Sequence, residues 1–494
     1  MNGKKHGFVL QSTRELPELS AKFHQLEHEK SGAQLVWLEW AEENKTFGIA
    51  FQTQPWDDTG VFHILEHSVL CGSERYPVKE PFVELMKSSL NTFLNAMTFP
   101  DKTFYPVSSR NNRDFMNLMR VYMDAVLHPL IHAKPEIFDQ EGWHYEIAEN
   151  GEPSYKGVVF NEMKGAFASP DTLLEGEMNR LLFPDTCYRC VSGGDPAHIP
   201  ELTYEQFASA HRRLYHPSNA YIFLDGNLDI EQILSILDGE FLSAYNRAPA
   251  PPEIPAQQPV SAGRSEICYE LSPQEEPAGR ERLAFGYVAC TFRDREELAA
   301  LRVLGDLLCG DNQAPLKRRM LESGLAKDVQ MSLQDGIRQP WVLLEARDIA
   351  EGRTEEAASV LLSGADAALP HRRAGKAGGG NRPASGRPEQ LERGGIGKSS
   401  PASGPDRGLA EHAGSPGGAG LHPYAPSGGD PGGAGEAAPG GNVRKWSASA
   451  APHAAHRGDH LLERIFCAGR SAGGAADPSG VSLHAAGLAG HRRP

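Results

Sequence analysis

Hydrophobic periodicity divides most of the first 369 residues into short strands and helices. Runs rich in β-branched and aromatic residues at 34–41 and 45–53 are typical of strands, and the short polar turn between them predicts a hairpin. Further strands are predicted at 93–99, 103–109 and 220–225. Helical spacing predicts the segments 59–72, 78–90, 112–129, 156–168, 171–183 and 203–215, with Thr59 as the N-cap and Gly72 as the stop of the first helix. The mixed order favours an α+β fold, with helices packed on one face of a largely antiparallel sheet.

A Pro-rich stretch at 247–263 interrupts this pattern and is predicted to be a linker. After it, strands at 266–271, 282–292 and 340–348 and a helix at 296–310 begin to repeat the alternation of the first part. We therefore expect a first domain over 1–246 and a second, incomplete α+β domain over 264–369.

Composition changes at residue 370. The 125 residues 370–494 contain 28 Gly and 13 Pro, and their 15 Lys and Arg outnumber their 9 Asp and Glu. So few large apolar residues remain that ordering the backbone is not offset by burial, which predicts a disordered tail. The segment is either a natural low-complexity extension or an out-of-frame translation of a GC-rich gene, because Ala, Gly, Pro and Arg have codons made mainly of G and C. The second explanation is favoured, because the ordered pattern stops inside an amphipathic helix.

Charge and hydropathy argue against nucleic-acid-binding, membrane-spanning and secreted proteins. The formal net charge of −15 argues against a nucleic-acid-binding protein, which would show a basic surface. No window approaches about 18 uninterrupted apolar residues, so no membrane span is expected. The first residues reach Glu15 and Glu18 without an apolar core, which predicts neither a secretory signal nor a transit peptide. The seven Cys are expected to be reduced thiols, and the protein is expected to be cytoplasmic.

The segment His63-Ile-Leu-Glu-His67 in the first predicted helix carries the strongest chemical signal. Spacing of four residues places both imidazoles on one helical face, within reach of a single metal ion. Glu66 shares that side of the helix and can approach a metal-bound water without being a ligand. A pair of surface histidines has the same spacing, but the rest of this helix is apolar and is expected to be buried, where clustered polar groups need partners. The pattern is the inverted zincin motif H-x-x-E-H.

A catalytic zinc requires a third protein ligand and keeps one position open. Glu162, on a second predicted helix, is the best candidate. Zinc would lower the pKa of its bound water to about 7 and polarise a scissile carbonyl. Glu66 would act as the general base and would then pass the proton to the leaving amine.

Several longer motifs extend this interpretation: the run from His63 to Ser109, QEGWHYE at 140–146, GVVFNEMKGAF at 157–167 and SGGDP at 192–196. Together they closely resemble the presequence-protease subfamily of the pitrilysin/insulinase metallopeptidases, over roughly residues 5–355. The resemblance implies pitrilysin-like domains and one zinc ion bound by His63, His67 and Glu162, with Glu66 as base. It also implies that unfolded peptide substrates add as a strand at a sheet edge formed by Leu94, Asn95, Ala96, Met97 and Thr98, where Asn95 and Ala96 offer backbone hydrogen bonds.

The chain departs from that family in its length. Family members have a second half that closes over the first like a clamshell and contributes an Arg and a Tyr at the scissile bond, and nothing in 370–494 resembles it. Three hypotheses follow: a zinc metalloendopeptidase recorded with a truncated or frame-shifted end, a catalytically impaired half that binds peptides or a partner as a scaffold, and a two-chain enzyme whose second chain supplies the missing half. The intact His63–His67 motif with Glu162 favours the first.

Overall fold

The computed structural model describes residues 4–79, 81–148, 150–272, 274–368 and 443–449. The described residues form eleven α-helices: Val61–Val69 (α1), Pro81–Ser88 (α2), Asn112–Leu127 (α3), Glu136–Glu141 (α4), Val158–Ala166 (α5), Pro170–Leu182 (α6), Tyr204–Leu214 (α7), Ile230–Ile236 (α8), Arg295–Cys309 (α9), Pro315–Glu322 (α10) and Thr354–Ala368 (α11). They also form sixteen strands: Lys4–Lys5 (β1), Phe8–Leu16 (β2), Ala21–His28 (β3), Gln34–Glu39 (β4), Lys45–Gln52 (β5), Asn91–Leu94 (β6), Met97–Thr98 (β7), Lys102–Ser109 (β8), His144–Ile147 (β9), Pro153–Lys156 (β10), Ala220–Asp225 (β11), Arg264–Glu270 (β12), Glu281–Val288 (β13), Asp328–Gln334 (β14), Trp341–Ile349 (β15) and Val443–Ser449 (β16).

The first 225 residues build a nine-stranded, mostly antiparallel sheet in the order β1-β2-β3-β4-β11-β5-β8-β6, with β7 also paired to β8. Strand β11 lies between β4 and β5, parallel to the first and antiparallel to the second. The predicted hairpin of 34–41 with 45–53 is therefore wrong, although both strands exist. A strand 170 residues later occupies the position between them, and a local turn signal carries no information about such a partner.

Helices α1, α3 and α7 supply much of the core of this part of the molecule. The buried side of α3 includes Phe115, Met119 and Tyr122, which join Phe47 and Ile49 of β5 in one apolar cluster. Helix α1 is buried on nearly every side, as its apolar sequence predicts. This arrangement confirms the α+β fold class.

The start of α1 differs from the prediction. Its N-cap is Gly60, in the left-handed region at φ +69°, whereas the Thr59 hydroxyl donates to Asp57 Oδ1 at 2.6 Å. A Cβ at position 60 would lie 2.7 Å from the carbonyl oxygen of Gly193. Close approach of another backbone thus requires glycine at the cap, and this outweighs the usual preference for threonine.

The second sheet has the order β12-β16-β13-β15-β14, with α9, α10 and α11 in the same part of the chain. Its strand β16 falls within the segment that composition predicts to be disordered and pairs antiparallel with β12. The rest of the predicted disordered tail, and with it the question of an out-of-frame origin, lies outside the described residues.

Candidate metal centre

Helix α1 presents His63, Glu66 and His67 from one side, since residues three and four apart lie about one helical turn from each other. One ligand atom from each lies within 4.8 Å of the others. His63 and Glu66 are each only 8% exposed, in a helix whose other side chains belong to the apolar core. The spacing of the motif therefore brings three electron-pair donors together at the margin of the core.

Helix α5 brings the fourth group, Glu162, to the same point. Its Oε2 lies 3.8 Å from His63 Nε2 and 3.7 Å from His67 Nε2. The Glu162 side chain is 48% exposed, so the site is open to solvent on this side. The structure thus brings all four predicted site residues together, although they are contributed by two helices that are far apart in the chain.

His63 is oriented by a backbone carbonyl. Its Nδ1 lies 2.9 Å from the carbonyl oxygen of Gly193, in the SGGDP segment. A carbonyl only accepts, so Nδ1 carries a proton, and the tautomer that this selects has its lone pair at Nε2, towards Glu162. A lone pair facing a carboxylate oxygen is repulsive unless a cation lies between them.

His67 is held from behind by Glu141 of α4. Its Nδ1 lies 3.4 Å from Glu141 Oε2, and the Glu141 side chain is 2% exposed. Burial opposes protonation of His67, but the neighbouring carboxylates of Glu141, Glu66 and Glu162 together raise its pKa. Burial likewise opposes ionisation of Glu141, but His67, together with hydrogen bonds from Gln140 and Cys71, outweighs it and lowers the pKa of the carboxyl group. The pocket therefore favours positive charge among its carboxylates.

Glu66 is oriented by the sheet edge. The Thr98 hydroxyl donates to Glu66 Oε2 at 2.8 Å. Thr98 belongs to β7, which pairs only with β8 among the described residues. The general-base candidate is thus tied to the predicted peptide-binding strand.

The predicted substrate residues, Leu94 to Thr98, lie at this edge of the nine-stranded sheet. Leu94 ends β6, Met97 and Thr98 form β7, and Asn95 and Ala96 interrupt the strand between them. The Asn95 N–H donates to the Pro106 carbonyl at 3.2 Å, so it points into the sheet and away from the edge. The Ala96 N–H is bonded to Asn95 Oδ1 at 3.0 Å, a side chain that can rotate away from it. Strand alternation then places the N–H groups of Ala96 and Thr98 on the outer side of the edge.

The donor set fits a zinc ion. Tetrahedral coordination with bonds of about 2.0–2.1 Å separates the ligand atoms by about 3.3 Å. The observed separations of 3.7 and 3.8 Å from Glu162 Oε2 to the two imidazole Nε2 atoms are a few tenths of an ångström wider. Two imidazoles and one carboxylate are also a common ligand set of hydrolytic zinc, and both outer ring nitrogens face hydrogen-bond acceptors, as metal-binding histidines require.

The sequence alone did not predict three supporting contacts: the Gly193 carbonyl behind His63, Glu141 behind His67, and the Thr98 hydroxyl on Glu66. Their segments, SGGDP, QEGWHYE and FLNAMTF, did stand out as motifs. A motif shows that a segment is unusual, but only the folded geometry shows which of its atoms contacts the site residues.

Comparison with known proteins agrees with these features. The chain is 44% identical over 358 residues to "Protein HypA" of Clostridium perfringens, an alignment that covers 72% of this chain and 37% of that protein. It is 41% identical over 371 residues to "Presequence protease 1, chloroplastic/mitochondrial" of Arabidopsis thaliana (73% and 34%), and 39% identical over 331 residues to "Presequence protease, mitochondrial" of Mus musculus (66% and 32%). Over its aligned N-terminal part, the chain is thus similar to the pitrilysin/insulinase (M16) peptidases, including the presequence proteases.

The alignments with these relatives are partial. The chain spans about a third of the length of these curated relatives. A family profile described as "Peptidase M16 inactive domain" matches residues 201–348, which lie after all four site residues. That description therefore applies to the part of the chain that follows the candidate centre.

Solved structures support the M16 fold. The chain superimposes on pitrilysin with a TM-score of 0.54 at 14% identity, covering 74% of this chain and 38% of pitrilysin. A protease from Helicobacter pylori gives a TM-score of 0.52 at 16% identity, covering 70% of this chain and 80% of that one. Among the described residues, none of the helices combines the length and the apolar composition of a membrane span.

Proposed function

We propose that the protein is a zinc-dependent metalloendopeptidase that hydrolyses unstructured peptides. One observation carries the proposal: His63 Nε2, His67 Nε2 and Glu162 Oε2 converge as electron-pair donors, while the proton of His63 is turned outward to Gly193. Such a cluster is stabilised by a cation, and its ligand types suit zinc. Similarity to the M16 peptidases supports this assignment.

His63, His67 and Glu162 would hold one zinc ion. When bound, zinc would act as a Lewis acid on the scissile carbonyl and would acidify a water molecule. Because the Thr98 hydroxyl donates to Oε2 of Glu66, we assign uptake of the proton of this water molecule to Oε1. Glu66 would then deliver this proton to the leaving amine, the usual sequence for a general base that later acts as an acid.

The open edge of β7 would bind the substrate. An extended peptide can add there as an antiparallel strand through the outward backbone groups of Ala96 and Thr98. Only an unfolded segment can offer a free strand, so the proposed substrates are unstructured peptides. The Asn95 N–H takes no part in this scheme, because Pro106 already occupies it.

Zinc content and turnover, measured together, test the proposal. The protein purified without chelator should contain about one zinc per chain. The variant Glu66→Gln should keep this zinc and lose hydrolysis of a quenched fluorogenic peptide, because Glu66 is not a ligand. His63→Ala should lose both. A protein that lacks zinc after loading and dialysis would refute the proposal.

The alternative proposal is a peptide-binding part that works together with a second chain. The alignments with the curated relatives span about a third of those proteins. The mass of the native protein in its source cell, together with co-purification, distinguishes the two cases. A species near 53.7 kDa with a stoichiometric partner supports a two-chain enzyme, and a single species about twice that size supports a longer natural chain. A cytoplasmic location remains a prediction, to be checked by fractionation of the same cells.

A further inference from the structure

We infer that the Thr98 hydroxyl is a positioning group for Glu66, coupling the peptide-binding edge strand to the general base. The inference rests on the proposed function, but the contact behind it is independent of the metal. Thr98 Oγ1 lies 2.8 Å from Glu66 Oε2, and the two residues belong to different elements, β7 and α1.

The geometry makes the hydroxyl a donor to Glu66. A threonine has one hydroxyl proton, and its other acceptor in range, the Phe62 carbonyl, lies at 3.5 Å. The separation of 2.8 Å from Glu66 Oε2 is much shorter, so the proton goes to Glu66. Because Glu66 is only 8% exposed, water contributes little to fixing its carboxylate, and Thr98 becomes its main anchor.

The position of Thr98 is in turn fixed by the sheet. Thr98 pairs with Thr103 of β8, and just before it the break at Asn95 and Ala96 is secured by Tyr122, whose hydroxyl donates to the Asn95 carbonyl at 3.2 Å. The edge strand therefore cannot shift without moving the hydroxyl on Glu66. A peptide that pairs with this edge stiffens it and thereby holds the base in its working orientation.

This arrangement predicts an effect on the chemical step more than on peptide binding. Thr98→Val keeps the shape and β-propensity of the side chain but removes the donor. We expect kcat to fall at least about tenfold, in the range of a lost positioning contact, with KM changed less than about threefold and zinc retained. Thr98→Ser restores the hydroxyl and should recover kcat to within about threefold of the native value.

Thr92 provides a matched control. It lies on β6 of the same edge, is exposed, and donates its hydroxyl to Asn44 Oδ1, a group outside the site. Thr92→Val should therefore leave kcat unchanged. If Thr92→Val and Thr98→Val reduce kcat equally, the effect belongs to the strand and the inference is wrong.

A thermal double-mutant cycle tests the contact without any turnover. Thr98→Val should lower the melting temperature by a few degrees in the native background. In the Glu66→Leu background the same change should cause no further loss, because the hydroxyl no longer has its acceptor. Equal losses in both backgrounds would overturn the inference.

The combined results separate the two hypotheses. Coupling in the thermal cycle together with a kcat effect supports the positioning role. Turnover that is insensitive to Thr98→Val overturns the inference and leaves the proposed function standing. A zinc-loaded native protein that never turns over refutes the proposed function for this chain, and with it any positioning role for Thr98, even if the contact itself is real.

Discussion

At the scale of single residues, the candidate centre depends on groups that lie behind the predicted ligands. Gly193, Glu141 and Thr98 each engage one of the motif residues on α1, so that each of these three side chains is oriented by a second contact. Partners of this kind fix the orientation of a metal-binding ring, and their loss weakens metal affinity even though they never touch the ion.

Glu141 provides the direct test of this idea. Glu141→Gln removes the charge behind His67 while preserving the shape of the side chain, and it should weaken zinc affinity about 10- to 100-fold, measured by competition with a chromophoric chelator. The control is Glu136→Gln, at an exposed position of the same helix α4. Equal affinities in the native protein and the Glu141 variant would contradict the prediction.

A second residue-scale prediction concerns the buried histidine His211. Its Nε2 donates to the Val126 carbonyl at 3.0 Å, so its Nδ1 must accept from His132 Nε2, also at 3.0 Å. Burial lowers the pKa of His211 to about 3, and burial also lowers the pKa of His132. His211 is therefore neutral in the folded protein at a pH where it would already be protonated in the unfolded chain.

The sign of the pH effect follows from this difference. The unfolded state binds a proton at about pH 6.5 and below, and the folded state does not bind it until about pH 3. The contribution of His211 to the free energy of unfolding is thus complete above pH 6.5. It is lost as the pH falls below 6.5, by about 1.4 kcal/mol per pH unit. His211→Gln keeps a donor for Val126 without titrating, so the loss of unfolding free energy between pH 6.5 and pH 5 should be about 2 kcal/mol smaller than in the native protein. Urea unfolding at both pH values measures this difference. The control is His198→Gln, at a histidine whose side chain is 46% exposed. Identical losses in all three proteins would show that His211 is not responsible.

At the scale of elements, local patterns predicted which segments are helices and strands better than they predicted how those elements begin and pair. Strand β11 and helices α6 and α7 lie within a residue or so of their predicted bounds. The hairpin failed because pairing in a sheet is decided by distant strands. Strands β1 to β3 were missed because β1 is only two residues long, β2 has one buried position, and two of the four buried positions of β3 are histidines. The site residues of α1 were predictable because helical spacing alone places them together, whereas the supporting atoms come from a loop, an edge strand and another helix.

Gly60 allows a test of how α1 is positioned. Gly60→Ala would place a methyl group 2.7 Å from the Gly193 carbonyl oxygen, the same carbonyl that orients His63, in addition to the cost of a positive φ. We expect a loss of about 2–3 kcal/mol of unfolding free energy together with weaker zinc binding. Gly336→Ala is the control, because Gly336 also has a positive φ (+84°) but its methyl group would meet nothing within 4 Å, so it should cost only about 1 kcal/mol and leave zinc affinity unchanged. If the two variants behave alike, the close approach of Gly193 does not control the site.

At the scale of the whole molecule, helix α6 connects the part that carries the metal centre to the second sheet. Leu174 and Met178 of α6 share an apolar cluster with Ala284 of β13 and Trp341 of β15. A polar network lies at the margin of this cluster, where Asp171 of α6 bonds Arg282 and Arg347, and both arginines contact Glu345. Burial raises the pKa of Glu345 in spite of its two cationic neighbours, so its ionised form depends on both.

Arg282 is the residue whose loss should reveal this dependence. Arg282→Met keeps most of the apolar stem but leaves the 2% exposed Glu345 with a single cation and frees Asp171 from one of its two partners. Removing one member of a buried charge network is costly because the remaining charge stays desolvated, and we expect a loss of about 3 kcal/mol in urea unfolding at neutral pH.

Arg302→Met is the control. It breaks an exposed pair with Asp335 on the same half of the molecule and should change the free energy of unfolding by less than about 0.5 kcal/mol. Adding Glu345→Leu to the Arg282 variant should restore most of the loss, because it removes the stranded carboxylate. Failure of that rescue would show that the apolar cluster, and not the charge network, determines how strongly α6 holds the second sheet.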